Sequence, residues 1–374
     1  MIVAGEASGD AHAAHVVRAL RARTPDARFF GIAGTHMQRE GVEALVDARQ
    51  MAVVGLVEVL AHFRFLYGVL QRLRRVLRDE RPDLLILVDY PDFNLRLART
   101  ARELGVPVLY YISPQVWAWR KGRVKTIAER VDRMAVVFPF EVPLYQDAGL
   151  HVEFVGHPLA EECEPMDRVQ ARARLGLPAG TRVVGLFPGS RRSEVKRLLP
   201  TMVAAAETLH QRFPDVRFLL PLASSLDHAD LAPHLAGTQV EIEVVEDRAQ
   251  EVMHASDAIV SASGTATLEI ALAGTPLLIV YRVAPLSYTL LRRIIKLPHI
   301  GLCNIVAERE VAPELLQDAA EPGRIADVLG RMLEDEVYAA ELRAGLAGVR
   351  ARLGGAGCAE NVARMAVEML GERR

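Results

Sequence analysis

The stretch that decides the fold of this chain is LLILVDYPDFN, residues 84–94. Its first half is an unbroken apolar run, and two carboxylates, Asp89 and Asp92, follow where the run ends. Apolar runs of this length are typical of strands that are buried on both faces, as in a parallel sheet. Side chains just beyond the carboxyl end of such a strand face the crevice in which open α/β sheets bind their ligands. The stretch therefore predicts an α/β fold with an acidic site at one edge of its sheet.

The two carboxylates are candidates for general-base chemistry. Asp89 belongs to the exit of the strand and comes too early to cap the next helix, so we expect it to be functional. Asp92 and Asn94 lie just before the helix predicted from Leu95, and these residue types often serve only as N-caps. For Asp92 both interpretations, functional carboxylate and helix cap, stay open.

Length and composition narrow the class of protein. A chain of 374 residues is longer than one core usually supports, so two domains are expected. The net charge of −2 offers no strong positive field for nucleic acid. Three widely separated cysteines (Cys163, Cys303 and Cys358) indicate neither a disulfide framework nor a zinc site and fit a reducing cytosol. No apolar run approaches the ~20 residues that span a bilayer, and Glu6 and Asp10 interrupt any signal-peptide pattern, so we expect a cytoplasmic protein.

The N-terminal segment predicts a short strand, a glycine turn (GEASGD, residues 5–10) and a helix that continues to Leu20. The N-terminus of such a helix can bind a phosphate or a sugar hydroxyl. The dinucleotide spacing Gly-x-Gly-x-x-Gly is absent, and Glu6 would oppose a pyrophosphate. The alternative interpretation is a tight turn that Asp10 caps. Because the first strand is short, we expect a few residues to precede Met1 in the natural protein.

Two segments, which we name the first and second apolar-basic patches, combine apolar and basic residues. The first spans residues 53–77, where apolar residues recur at helical spacing among arginines: Leu60, Phe63, Leu66, Tyr67 and Leu70. The second spans residues 288–297 and contains Arg292, Arg293 and Lys296. Basic amphipathic helices of this kind can rest on anionic lipid headgroups. A helix packed on the sheet with a solvated arginine face is the alternative.

Both tryptophans of the chain, Trp117 and Trp119, fall in one loop after a strand predicted at residues 106–112. Aromatic planes in such a loop can cover a sugar ring or an acyl chain. Burial of these rings in the core is the competing interpretation.

The second half of the chain twice places a glycine turn between a predicted strand and a helix. After residues 183–186 the turn contains Gly189, Ser190 and Arg191. Backbone N–H groups at a helix N-terminus and a guanidinium group are well suited to bind a phosphate. Helix capping alone does not explain the arginine at this turn.

The second of these turns follows residues 258–260 and contains Ser263, Gly264 and Thr265, which again suits a diphosphate. Glu269 lies one helical turn deeper, where a carboxylate can accept hydrogen bonds from a ribose diol. Tyr281 follows the strand predicted at residues 277–280, and residues 302–307 are predicted to form a loop entering the cleft.

In this order the motifs resemble those of the lipid-A-disaccharide synthases, inverting glycosyltransferases of the GT-B fold. The resemblance covers essentially the whole chain and rests on residues 5–10, 89–94, 113–119, 155–158, 188–191, 262–269 and Asn304. It implies an α/β fold of two Rossmann-like domains that face a central cleft. The expected parts are an acceptor-binding and membrane-contact domain at 1–160, a UDP-sugar domain at 161–345, and a C-terminal helix at 346–374 that packs back toward the first domain.

The implied reaction transfers 2,3-diacylglucosamine from UDP-2,3-diacylglucosamine to 2,3-diacylglucosamine 1-phosphate (lipid X), without a metal ion or other cofactor. Asp89 is then the base that takes the proton from the 6-hydroxyl of the acceptor. The implied acceptor-binding residues are Glu6, Ser8, Asp92, Asn94 and Trp117. The implied donor-binding residues are Gly189, Ser190, Arg191, Ser263, Gly264, Thr265, Glu269, Tyr281 and Asn304. Because both substrates are acylated, the apolar-basic patches then indicate peripheral contact with the cytoplasmic surface of the inner membrane.

Three other functions are compatible with parts of this pattern. A UDP-N-acetylglucosamine 2-epimerase would keep the fold but act on a water-soluble sugar. A glycosyltransferase of the peptidoglycan-precursor kind would carry a different glycine-rich N-terminal loop. A regulator that only binds a nucleotide sugar would need neither Asp89 nor Ser8.

Overall fold

A computed structural model describes residues 1–51, 59–119, 122–163, 166–178, 180–283, 298–355 and 357–372, without the side chains of residues 59–63 and 119. The chain divides into two compact units. The first unit comprises Met1–Pro158 and Gly354–Arg374, and the second comprises Leu159–Leu353. The boundaries expected from the sequence were 160 and 345.

The first unit is built on a parallel sheet with helices around it. Its strands run in the order β3-β2-β1-β4-β5-β6-β7. They are β1 (Ile2–Ala4), β2 (Phe30–Ala33), β3 (Glu43–Asp47), β4 (Leu85–Val88), β5 (Val108–Tyr111), β6 (Arg133–Val136) and β7 (His151–Phe154). The helices before the unit boundary are α1 (Ala7–Arg23), α2 (Thr35–Arg39), α3 (Val59–Glu80), α4 (Pro91–Glu103), α5 (Val116–Trp119), α6 (Arg123–Ala128) and α7 (Glu141–Gln146). A 3₁₀ turn lies at Ala48–Met51.

The second unit contains another parallel sheet, with the strand order β10-β9-β8-β11-β12-β13. Its strands are β8 (Val183–Phe187), β9 (Arg217–Leu222), β10 (Ile242–Glu246), β11 (Ala258–Ala262), β12 (Leu277–Tyr281) and β13 (Glu314–Leu316). Its helices are α8 (Leu159–Glu162), α9 (Arg168–Arg174), α10 (Arg192–Arg212), α11 (His228–Leu235), α12 (Ala249–Ala255), α13 (Ala266–Ala273), α14 (Leu302–Ala307), α15 (Pro322–Glu334) and α16 (Glu336–Leu353). A last helix, α17 (Cys358–Gly371), belongs to the first unit and packs against α1.

The predicted central strand is confirmed as β4, and all four of its residues are buried. Both neighbours are parallel to it: Ala4 of β1 pairs with Val88, and Val88 pairs with Tyr111 of β5. The carboxyl ends of the three strands therefore meet at one edge of the sheet. This register places the glycine turn after β1 beside Asp89, although more than eighty positions separate them in the chain.

Two local predictions were wrong. The helix after β4 begins at Pro91 rather than near Leu95, because proline is well suited to the first position of a helix. Residues 302–307, predicted as a loop, form α14. The first apolar-basic patch is helical from Val59 onward. Residues 53–58 of this patch, and the whole second patch at 288–297, lie outside the described residues.

Candidate active site

Asp89 lies directly after β4 in an unusual backbone conformation. It has a φ of 45°, and the next residue, Tyr90, has a φ of 49°. Residues other than glycine rarely adopt this left-handed region, which costs roughly 1–2 kcal/mol for each such residue. Aspartate tolerates it better than most residues because its short polar side chain can form local hydrogen bonds. Such conformations cluster at functional sites, where the surrounding structure holds them in place.

The surroundings of Asp89 suit a general base. Burial, followed by the negative charge of Glu6, raises the pKa of the Asp89 carboxyl to about 6. A carboxyl with this pKa is mostly ionised at neutral pH but binds a proton more strongly than an ordinary aspartate does. The position can therefore accept a proton from a substrate hydroxyl near pH 7.

The glycine turn after β1 brings Glu6 and Ser8 to the same edge of the sheet. Glu6 is the N-cap residue of α1 and is exposed, as is Ser8 in the first turn of that helix. The proposed capping role of Asp10 needs a correction. Its buried carboxylate accepts hydrogen bonds from the N–H groups of Gly34 (2.6 Å) and His36 (2.9 Å), so it caps α2 and not its own helix.

Asp92 lies inside the first turn of α4 and is not the helix cap, since Tyr90 occupies that position. Its carboxylate is 73% exposed and forms an ion pair with Arg123. It lines a cavity of about 380 Å³ together with Glu6, Leu66, Tyr67, Leu70, Tyr90, Pro91, Phe93 and Arg96. The structure thus brings Glu6 and Asp92 together beside a mainly apolar hollow.

Two of the expected acceptor contacts are corrected by the structure. Asn94 is 0% exposed, and its amide binds the main chain of Val88 and Asp89, so its side chain supports the turn. Trp117 is 8% exposed, and its Nε1 donates to Glu141 at 3.2 Å. Its ring lies edge-on to that of Phe140 at 5.1 Å. The core interpretation therefore holds for Trp117, and the side chain of Trp119 lies outside the described residues.

Glu141 is a buried carboxyl that the sequence did not single out. It is 1% exposed, and burial raises its pKa to about 8. Its oxygens accept hydrogen bonds from Trp117 Nε1 and from the backbone N–H of Phe138. The group therefore ties the loop after β5 to the start of α7, largely in its protonated form at neutral pH.

We expect the Glu141→Gln variant to gain stability relative to the wild type as the pH rises from about 5 to 8. In that range Glu141 of the unfolded wild type loses a proton that the folded state retains, because the pKa of Glu141 is higher in the folded state. This group therefore lowers the stability of the wild type by up to about 1.4 kcal/mol per pH unit. Glutamine does not titrate, and all other groups are common to both proteins. Urea unfolding measures the free energy of unfolding of both proteins across this pH range. A difference in that free energy between variant and wild type that stayed constant with pH would contradict the prediction.

In the second unit the turn after β8 binds an anion supplied by the chain itself. The N–H groups of Ser190 (3.1 Å) and Arg191 (3.3 Å) donate to Glu194 Oε2, and Arg191 Nη1 donates to Oε1 at 2.9 Å. Gly189 has a φ of 107°, and a side chain there would meet Glu194. The turn therefore holds a carboxylate with the same groups that were predicted to bind a phosphate. Glu194 reaches back to the N–H of the N-cap residue, as the acidic member of a capping box does, but Arg191 has no side-chain acceptor for the other half of that motif.

The turn after β11 faces the same cavity of about 320 Å³ as the turn after β8. The predicted residues that line it are Gly189, Ser190, Arg191, Ser263, Gly264, Thr265 and Glu269. Glu269 is half-buried, and burial followed by the charge of Glu162 raises its pKa. Apolar walls come from Leu222, Ala223, Ala249 and Met253, which no sequence motif indicated. The structure thus gathers an anion-binding turn, small hydroxyl residues and a carboxylate around one hollow.

Two predicted donor residues are not among those that line this cavity. Tyr281 ends β12 and is half-buried. Asn304 is 0% exposed, and its amide is fully used: Nδ2 donates to Ala312 O and Glu314 Oε1, while Oδ1 accepts from the N–H groups of Val311 and Ala312. With every donor and acceptor satisfied, Asn304 has a structural role, and the predicted contact with the donor is corrected.

Two parallel α/β units, each with glycine turns at the carboxyl ends of its strands, are the architecture of the GT-B class of glycosyltransferase folds. Solved structures agree. A UDP-GlcNAc 2-epimerase from Neisseria meningitidis bound to UDP-GlcNAc matches with a TM-score of 0.62 at 13% identity, covering 97% of each chain. The calicheamicin glycosyltransferase CalG4 matches with a TM-score of 0.61 at 14% identity, covering 99% of this chain and 96% of that one. At these identities the likeness shows the fold alone, and it confirms the predicted fold class.

The chain belongs to the lipid-A-disaccharide synthase family. The family model described as lipid-A-disaccharide synthetase matches residues 1–347. The lipid-A-disaccharide synthase from Geobacter metallireducens is 56% identical over 375 residues, covering 100% of this chain and 98% of the relative. The one from Nitrosococcus oceani is 50% identical over 370 residues, covering 99% and 95%. The resemblance predicted from the motifs is thereby confirmed, and the chain is a glycosyltransferase that forms the lipid A disaccharide.

Proposed function

We propose that the chain transfers 2,3-diacylglucosamine from UDP-2,3-diacylglucosamine to the 6-hydroxyl of lipid X. The products are the β-1,6-linked lipid A disaccharide 1-phosphate and UDP, and the anomeric configuration is inverted. The observation that carries the proposal is Asp89, a carboxylate with a raised pKa at the exit of β4, whose neighbours Glu6 and Tyr90 line the apolar hollow of the first unit. A protein that only bound a nucleotide sugar would have no use for such a base.

In the proposed reaction Asp89 takes the proton from the acceptor 6-hydroxyl as its oxygen attacks the anomeric carbon. The bond from that carbon to the diphosphate oxygen breaks on the opposite face, and UDP leaves with the electron pair. Ser8, Glu6 and Asp92 position the acceptor sugar. Preorganised placement of the base is what converts a weak alcohol nucleophile into a reactive one.

The second unit holds the nucleotide in this proposal. The N–H groups and guanidinium of the turn after β8, with Ser263 to Thr265, stabilise the negative charge that develops on the leaving diphosphate. Glu269 accepts hydrogen bonds from the ribose. Glu194 releases the turn when the diphosphate arrives, so one anion replaces another on the same donors. The proposal uses no metal ion and no other cofactor.

Acylated substrates require an apolar route, and the first apolar-basic patch supplies one. On α3, Phe65 and Tyr67 are large apolar side chains that remain 38% and 54% exposed. Arg64 and Arg72 are exposed on the same helix. We propose that this patch contacts anionic lipid on the cytoplasmic face of the inner membrane. Among the described residues, no helix combines the length and apolar character needed to span a bilayer.

The direct test is to incubate the purified protein with UDP-2,3-diacylglucosamine and lipid X, and to analyse the lipid product by mass spectrometry. A tetra-acylated disaccharide phosphate is expected. A product formed only from water-soluble UDP-N-acetylglucosamine would favour the epimerase, and UDP binding without any product would favour the regulator. Glucosamine 1-phosphate without acyl chains serves as the matched control acceptor and should react poorly.

The pH dependence of turnover tests the proposed base. We expect kcat/KM, which reports the free enzyme, to be level above about pH 7 and to fall tenfold per unit below about pH 6, because only the ionised form of Asp89 accepts a proton. The Glu6→Gln variant removes a negative charge that raises this pKa, so its acidic limb should lie at lower pH. An acidic limb that does not move in this variant would contradict the role given to Glu6.

A further inference from the structure

The main chain of Asp89 is held by two buried side chains from elsewhere in the first unit. Its carbonyl oxygen accepts hydrogen bonds from Tyr110 Oη at 2.6 Å and from Asn94 Nδ2 at 2.7 Å. Asn94 Nδ2 also donates to Val88 O at 3.2 Å, and both Asn94 and Tyr110 are 0% exposed. One partner comes from α4 and the other from β5, so the carbonyl is fixed from two directions.

The N–H of Asp89 and the side chain of the next residue, Tyr90, are also held by hydrogen bonds. The N–H of Asp89 donates to Tyr111 O at 3.0 Å, and Tyr90 Oη donates to Met51 O at 3.3 Å. The Tyr90 ring covers Gly5, where an added Cβ would lie 2.5 Å from the ring. The glycine of the first turn therefore gives this ring its space. The three hydrogen bonds to Asp89 named here, from Tyr110 and Asn94 to its carbonyl oxygen and from its N–H to Tyr111, use its main chain and not its carboxylate.

We propose that Asn94 and Tyr110 are positioning residues, which keep the backbone of Asp89 in its left-handed conformation and so present the carboxylate beside Glu6. This inference rests on the proposed function in one respect, since it takes Asp89 as the base. A base must lie within about 2.6–3.2 Å of the proton it removes, and a misplacement of about 1 Å can cost 10²-fold in rate. A residue that touches neither substrate can thus control turnover.

The test compares Asn94→Ala and Tyr110→Phe with the wild type in the lipid assay. We expect kcat to fall about 10- to 100-fold for Asn94→Ala, which removes bonds to both Val88 O and Asp89 O, and less for Tyr110→Phe, which removes only the bond to Asp89 O. KM for both substrates and the affinity for UDP should stay within about threefold, because nucleotide binding belongs to the second unit. The acidic limb of the kcat/KM profile should also move to lower pH, since a released carboxylate is less buried and farther from Glu6. The ionisable groups that act on Asp89 are Glu6, the N-cap of α1, and His12 of α1.

Asn361→Ala provides a matched control for lost stability. Its Nδ2 donates to Val155 O at 3.1 Å, just beyond β7 in the same unit, so the variant removes a side chain-to-backbone bond away from Asp89, from a residue that is more exposed than Asn94. It should lower the melting temperature without lowering kcat. The inference would be overturned by an equal loss of kcat in this control. It would also be overturned by wild-type kcat in both Asn94→Ala and Tyr110→Phe. Neither result would affect the proposed function. A wild type that forms no disaccharide lipid would instead overturn the proposed function, and the inference with it.

Discussion

Replacing Asp89 with asparagine should lower turnover by about 10²- to 10⁴-fold, the range typical of a lost general base, and leave UDP binding nearly unchanged. Asparagine tolerates the left-handed conformation about as well as aspartate does, whereas alanine does not. The hydrogen bonds of the turn run through the backbone of residue 89, so the fold should survive the change. The Asp89→Ala variant should be equally inactive but less stable.

Asp92→Asn is the matched control, because this second carboxylate lies three residues away, is exposed, and pairs with Arg123. It should mainly raise KM for the acceptor and keep most of kcat. Turnover of both variants in a detergent assay, together with their affinity for UDP measured by calorimetry, decides whether Asp89 or Asp92 is the base. If the Asp89 variant kept wild-type turnover and the Asp92 variant lost it, the base would be Asp92 and the proposed assignment would be wrong.

Replacing Arg191 with alanine should weaken donor binding by about 10-fold, with an upper limit near 100-fold. Hydrogen bonds to charged groups contribute roughly 1.5–3 kcal/mol, and a factor of ten corresponds to about 1.4 kcal/mol. The lower end of the range is expected for two reasons. Arg191 is 78% exposed, which screens its charge, and it already pairs with Glu194 at 2.9 Å, so a diphosphate replaces one anion with another.

Steady-state kinetics with varied donor and calorimetry with UDP measure this effect. Arg191→Lys should fall between wild type and alanine, because an ammonium group cannot bind a phosphate bidentately. Arg192→Ala is the control: its neighbouring guanidinium pairs with Asp230 at 2.9 Å and should matter little for the donor. Unchanged Michaelis behaviour toward the donor in Arg191→Ala would refute the assigned role.

Short-range patterns explain what could be predicted. The buried strand at residues 85–88 follows from an uninterrupted apolar run, and the two turns that line the cavity of the second unit follow from glycine and hydroxyl residues between a strand and a helix. The family could be predicted because several such motifs occur in a fixed order over the whole chain. Each motif is a short stretch of neighbouring residues, and the order of the motifs is part of the sequence itself, so both can be recognised without a structure.

The assignments of side-chain partners that the structure corrects share a different cause. Asn304 was expected to meet the donor and Trp117 to contact the acceptor, and for Asp10 a cap on its own helix was the alternative interpretation. In the structure these side chains bind Ala312, Glu141 and Gly34 respectively. A polar or aromatic residue in a motif has several possible partners, and the residue type alone does not choose among them.

By itself the sequence determined the alternation of strands and helices, the places where turns can bind an anion, and the family, because apolar periodicity and turn chemistry depend on neighbours along the chain. Only the tertiary structure decided that the Asp89 carboxylate is desolvated next to the charge of Glu6, and that Asn94 and Tyr110 converge on one carbonyl oxygen. Burial and hydrogen-bond geometry arise when distant segments pack together, and Tyr110 lies twenty-one residues from the oxygen it binds.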